Sequence, residues 1–284
     1  MFLIACGTFA IIQAITGRFL PHDAVYLAMS ASQLCALDGC RILHFMIHDR
    51  ISFGGVLIAI GVVYLWLVRF PLREAKSWAW WTLALSAAAG FLSFLTYLGY
   101  GYLDTWHALA TLALLPVFAT GLLRARRCLH AECEAPTLDV RSSPGIGRTF
   151  LLLASVGIAA GGLTIMIVGM TRVFVPQDLE FMGMTRETLG AVNPHLVPLI
   201  AHDRAGFGGA LVSFAVAMFG CVWCARPSQS LLRTLTIAGL VGFGTAVGIH
   251  PVIGYTNLVH LSPAVAGCIV FGLGLALEQL PSRR

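Results

Sequence analysis

The chain has 284 residues, 58% of them hydrophobic and only 11% charged, with a mean hydropathy of +0.84. A soluble domain carries about a quarter charged residues, so that class is excluded. Apolar runs close to the ~20 residues needed to cross a bilayer point instead to a polytopic helical membrane protein. These runs are solid rather than alternating, which excludes a transmembrane β-barrel, and the net charge of +5 lies in short segments between them, as topology markers do. It is no nucleic-acid signal.

In chain order, the first apolar run covers 2–17. It has no positive n-region and no small-residue cleavage site, so it reads as a short retained span rather than a signal peptide. A polar stretch, 18–50, leads into a second span at 51–68, which stops at Arg69. Spans follow at 78–97 and 104–123, then a polar linker, 124–148, whose Ser142-Ser143-Pro144-Gly145 is a turn signal. The plan then recurs: a span at 150–170, a polar stretch at 171–204, and spans at 205–225, 232–248 and 258–277.

Three sequence blocks recur with the plan. Pro21-His22-Asp23 through Met29 matches Pro176-Gln177-Asp178 through Met184 at an offset of 155 residues. His48-Asp49-Arg50 with Phe53-Gly54-Gly55 matches His202-Asp203-Arg204 with Phe207-Gly208-Gly209 at 154. Gly101-Tyr102 through Asp104 and His107 matches Gly254-Tyr255 through Asn257 and His260 at 153. A near-constant offset over three blocks is the mark of an internal repeat. The expected fold is therefore all-α: a polytopic integral membrane protein of about eight transmembrane helices, in two tandem four-helix parallel repeats. The repeats are 1–123 and 149–284, joined by a cytoplasmic linker at 124–148.

Positive charge sets the expected orientation. Twelve Lys and Arg residues fall on the side of the linker and termini, and six on the other. The linker and both termini are then cytoplasmic, and the three blocks face outward. In a bacterium this means the inner membrane, with a histidine-rich periplasmic face. His22, His44, His48, His107, His195, His202, His250 and His260 all lie at or near outer span ends.

Each block has a chemical and a structural reading. His48 and His202 are candidate ligands or proton carriers, with Asp49 and Asp203 orienting the imidazoles and Arg50 and Arg204 holding an anionic group. Structurally, the Asp residues cap a helix start, the Arg residues anchor at headgroups, and Phe-Gly-Gly lets helices approach closely. His107 and His260 are candidate cofactor ligands, and His48, Asp104, His107, His202 and His260 a candidate metal set. Because Asn257 replaces Asp104 in the second copy, capping is favoured at that position. Asp23 and Asp178 read as caps of an interfacial helix over the bundle. Cys221-x-x-Cys224 lacks a thioredoxin-like setting and reads as packing. Cys128 to Cys133 reads as a solvated loop, and the eight cysteines show no shared spacing that would make a disulfide framework.

The function expected is that of a metal- or haem-binding redox protein or membrane enzyme with an outward His/Asp/Arg site. The alternatives are a small-anion transporter, disfavoured because the span interiors carry almost no charge, and a non-catalytic subunit of a membrane complex. The partners expected are the lipid bilayer and other subunits, with no nucleic acid. Replacing His48 and His202 together by Ala is expected to abolish cofactor binding without loss of expression. Failure of the double variant to accumulate would favour the structural reading.

Overall fold

The computed structural model describes residues 1–96, 102, 105–127, 129 and 141–279, with the side chains of Trp106 and His107 outside that description. Among the described residues the fold is all-helical, with twelve helices. They are α1 (Phe2–Ile15), α2 (Pro21–Leu27), α3 (Ala31–Asp38), α4 (Arg41–Arg69), α5 (Ser77–Ser93) and α6 (Thr105–Arg126), then α7 (Ser143–Met170), α8 (Pro176–Met182), α9 (Arg186–Val192), α10 (Leu196–Cys224), α11 (Gln229–Ile253) and α12 (Leu258–Glu278). Seven of these are long and apolar enough to cross a membrane: α4, α5, α6, α7, α10, α11 and α12. Helix α1 has 14 residues. At 1.5 Å per residue it spans about 21 Å, short of the ~30 Å hydrocarbon core.

The two polar stretches fold into pairs of short helices with local causes. Helices α2 and α8 open on Pro21 and Pro176, where the missing N–H and fixed φ of proline suit a first turn. They close at Ala28 and Gly183, both left-handed, with φ of 48° and 65°. Helices α3 and α9 start at Ser30 and Thr185, whose hydroxyls accept the N–H groups of Gln33 and Thr188, while those two side chains reach back to the cap. A disulfide joins Cys35 to Cys40 at the junction of α3 and α4. The absence of a shared cysteine spacing gave no hint of it, because only one of the two stretches carries the pair.

Helices α4 and α10 begin at Arg41 and Leu196, earlier than the expected 51 and 205. The His-Asp-Arg blocks therefore lie about two turns inside helices rather than at their starts, and Asp49 and Asp203 cap nothing. Polarity set the expected boundary; the helices run through it because the charges are matched by ion pairs with other elements.

Helices α4 and α10 are the central elements. Helix α4 packs on α1 and α11, α10 packs on α7 and α5, and the two pack on each other, while α12 lies along α7. Glycines set these approaches. A Cβ built on Gly54 would stand 2.8 Å from the Gly7 carbonyl oxygen of α1, and one on Gly208 would stand 2.6 Å from the Gly162 carbonyl oxygen of α7. Gly55 faces Thr245 of α11 and Gly209 faces Ser93 of α5, again with no room for a Cβ. The close-approach reading of Phe-Gly-Gly thus holds in both places. Cys221 lies in the main core cluster with Cys224 packed against it, as ordinary packing cysteines do. The Cys128–Cys133 segment lies outside the described residues apart from Leu129.

Gly208→Val is expected to lower stability by about 1–3 kcal/mol or more through overpacking. Gly161→Ala, where a Cβ meets nothing within 4 Å, should leave the melting temperature in detergent unchanged or slightly raised. Equal melting temperatures for Gly208→Val and the parent protein would contradict the close approach of α7 and α10.

Candidate functional site

Three histidines from three helices converge. His48 stands on α4, His250 in the last turn of α11 and His260 in the first turn of α12. The α11–α12 corner is built for this. Gly254, with φ of 78°, takes the left-handed conformation that turns the chain, and the Tyr255 N–H donates to the His250 carbonyl at 3.0 Å. Asn257 then opens α12 by accepting the N–H groups of Val259 and His260 at 3.0 and 3.1 Å. The capping reading holds for Asn257, and the cap fixes where His260 starts. One ligand atom from each of the three imidazoles lies within 4.8 Å of the others. Ring centroids are 4.5 Å apart for His48 and His250, 5.3 Å for His250 and His260, and 5.7 Å for His48 and His260. The Tyr255 ring stacks on His260 at 4.4 Å.

Two of the three rings have a carboxylate neighbour. His48 Nδ1 lies 3.1 Å from Asp49 Oδ1, and His260 Nδ1 lies 3.7 Å from Asp178 Oδ1. Both arrangements leave Nε2 for the cluster. His250 is 3% exposed, and neither of its ring nitrogens makes a hydrogen bond. The Ala246 carbonyl one turn back is near but out of hydrogen-bond geometry. A single guanidinium serves both carboxylates: Arg204 Nη1 lies 2.7 Å from Asp178 Oδ2, and Arg204 Nε lies 3.4 Å from Asp49 Oδ2. Arg204 also donates to the Val173 carbonyl at 2.6 Å and covers the Phe45 ring at 4.9 Å. The Tyr255 hydroxyl donates to Asp178 Oδ1 at 2.8 Å. Burial first, and then the adjoining Asp178 carboxylate, hold the Tyr255 phenol above its ordinary range, so it stays a donor.

The pattern recurs around Arg50. This guanidinium lies 2.8 Å from Asp203 and 2.9 Å from Asp23. Asp203 lies 3.2 Å from His202 Nδ1, and the Tyr102 hydroxyl donates to Asp23 at 2.8 Å. Tyr102 meets the His202 ring edge-on at 5.1 Å. The arginines thus cross over: Arg50 pairs with the aspartate preceding Arg204, and Arg204 with the aspartate preceding Arg50. Both guanidiniums face carboxylates of the chain itself.

Of the sequence candidates, the structure brings His48 and His260 into one cluster and ties Asp49 and Arg204 behind it. It groups Arg50, His202 and Asp203 in the second network. Asp104 and the side chain of His107 lie outside the described residues. Sequence reasoning missed His250 and Tyr255 as site residues, gave Asp23 a capping role, and offered Asp178 as a cap or as a carboxylate standing in for Asn257. Asp178 does cap, accepting the Val175 N–H at 2.8 Å, while also joining the network. His250 was passed over because the position 153 residues earlier is Tyr97. A search for shared residues discards a ligand found in one copy only. Its spacing to His260 across a Gly-Tyr corner was the signal available.

The cluster suits a single ion better than haem. Three imidazoles and a tyrosine in mutual ring contact leave no slot for a macrocycle between two of them, whereas three converging nitrogens with oriented partners are a familiar ion cage. Family models, curated proteins and solved structures contain no match to the chain.

The Arg50 network predicts a coupling. Asp203→Asn alone should lower stability by about 1–3 kcal/mol, because it leaves a partly buried guanidinium short of a carboxylate. Adding Arg50→Met should recover part of that loss, as unfolding in detergent would record. Simple additivity of the two substitutions would show that the pair is not coupled.

Proposed function

We propose that this chain is an integral membrane metalloprotein in which His48, His250 and His260 hold a divalent first-row ion, Zn²⁺ or Cu²⁺. The observation that carries this reading is His250. A buried imidazole with no hydrogen-bonded nitrogen is costly, and it points into a cluster with two further imidazoles whose Nδ1 atoms already face carboxylates. A carboxylate behind a histidine is the arrangement that fixes tautomer and ring direction for a metal ligand. Charge supports the same assignment. Arg204 faces both Asp49 and Asp178, one guanidinium for two carboxylates, a balance that favours a cation in the histidine cluster they adjoin.

The wider architecture belongs to the same proposal. The chain comprises two tandem four-helix repeats, 1–123 and 149–284, about eight spans in all, with a cytoplasmic linker at 124–148 and both termini cytoplasmic. The histidine cluster then opens to the outside, the periplasm of a bacterial inner-membrane protein. The Cys35–Cys40 bridge on that side accords with an oxidising compartment. An ion held by His48, His250 and His260 would supply Lewis-acid chemistry if Zn²⁺ and redox chemistry if Cu²⁺. His48, Asp49 and Arg204 belong to this centre. His202, Asp203 and Arg50 form its counterpart, to which the described residues contribute no third histidine.

Elemental analysis of the detergent-purified protein is the test. The protein should carry about one zinc or copper ion per chain, the stoichiometry of a single cage. His48→Ala, His250→Ala and His260→Ala should each lose it, and His202→Ala should keep it. A protein that stays free of both ions after metal-replete growth would sink the proposal.

A further inference from the structure

The sequence offers Arg50 and Arg204 as equivalents, but only one of them stands behind the histidine cluster. We infer that Arg204 is the positioning residue of the metal centre, reaching it from the opposite half of the chain to His48. This inference rests on the metal reading given above and deepens it.

The argument is geometric. Two of the three histidines have a carboxylate behind them: His48 Nδ1 is hydrogen-bonded with Asp49 at 3.1 Å, and His260 Nδ1 stands 3.7 Å from Asp178. These carboxylates come from different elements, α4 and α8, and nothing in the local sequence fixes their separation. Arg204 does. Its Nη1 holds Asp178 at 2.7 Å, and its Nε faces Asp49 at 3.4 Å. Neither Arg204 Nε nor the Asp49 Oδ2 it faces has a hydrogen bond to any other group, so the two are left to each other. The guanidinium is itself held by the Val173 carbonyl and the Phe45 face. Val173 presents that carbonyl from a left-handed conformation, φ 68°, which β-branched residues rarely adopt. Tyr255 completes the set by donating to Asp178 on the oxygen nearest His260. A planar fork that addresses two carboxylates at once is something Arg provides and Lys does not.

Arg50 is the internal control. It makes the same class of contact, with Asp203 and Asp23, and Tyr102 donates to Asp23 as Tyr255 does to Asp178. A loss of fold from disturbing a buried ion pair should therefore follow from either arginine. A loss of metal affinity should follow from Arg204 alone.

The measurement is the affinity of the full-length, detergent-solubilised protein for Zn²⁺ and for Cu²⁺, titrated against a competing chelator, with melting temperatures on the same samples. Four variants are compared with the parent protein: Arg204→Lys, Arg50→Lys, Tyr255→Phe and Tyr102→Phe. Arg204→Lys should weaken binding roughly 10- to 100-fold, the usual consequence of losing support behind a ligand. Tyr255→Phe should weaken it less, and the Arg50 and Tyr102 variants should leave it unchanged. Unaltered affinity in Arg204→Lys would overturn the inference while leaving the metal reading standing. Equal losses in Arg204→Lys and Arg50→Lys would overturn it too, as a general effect of the ion pairs. Should Arg204→Lys fail to accumulate, the comparison of Tyr255→Phe with Tyr102→Phe decides, since each removes one hydroxyl; equal affinities there would count against the inference. A parent protein that binds neither ion would remove the metal reading itself.

Discussion

The structure depends on a crossed exchange of charge between its two central helices. Arg50 and Arg204 sit next to aspartates in sequence, yet each guanidinium is matched by the aspartate of the other helix. Neighbours on a helix point about 100° apart, and here each aspartate turns to the histidine before it and to the arginine of the other helix. Charge placed in apolar surroundings has to be met by charge, so α4 and α10 have to lie side by side in one register. The second carboxylate on each arginine, Asp23 or Asp178, extends the same demand to the short helices α2 and α8. One requirement thus orders the central pair of spans and the segments folded over their ends.

Close packing is what makes that register affordable. Gly54 against Gly7, and Gly208 against Gly162, bring backbones together one turn beyond the charged residues. With α1 and α7 drawn in on one side and α11 and α5 on the other, little freedom remains for the arginine side chains. The histidine cluster inherits this rigidity. His48 comes from a central helix, and His250 and His260 come from a corner whose shape is set by Gly254 and Asn257. A site placed on rigid elements keeps its ligands within the narrow tolerance that coordination requires.

Much of the fold was legible because membrane insertion is a matter of length and polarity. The seven long apolar helices fall where the hydropathy put them. The helix starts were misplaced at 51 and 205 because charged residues look like a boundary in sequence, and only a partner elsewhere makes them interior. The same gap in information hid the network. Asp23, Asp178, Tyr102 and Tyr255 could be recognised as shared between copies, but which arginine each would meet depends on helices crossing in space. His250 was hidden for the opposite reason, being a histidine that one copy holds and the other does not. The glycines were read correctly because their consequence, close approach, is local.

The histidine cluster also has a place in time. Its first histidine is residue 48 and its last is residue 260. At translation rates of about 5–20 residues per second, roughly 10–40 s separate their emergence. For most of that interval, until residue 204 emerges, Asp49 exists without Arg204. The insertion machinery therefore has to shelter a span that carries unmatched charge until the second central helix arrives. The three histidines come together only once α12, which carries His260, is in place.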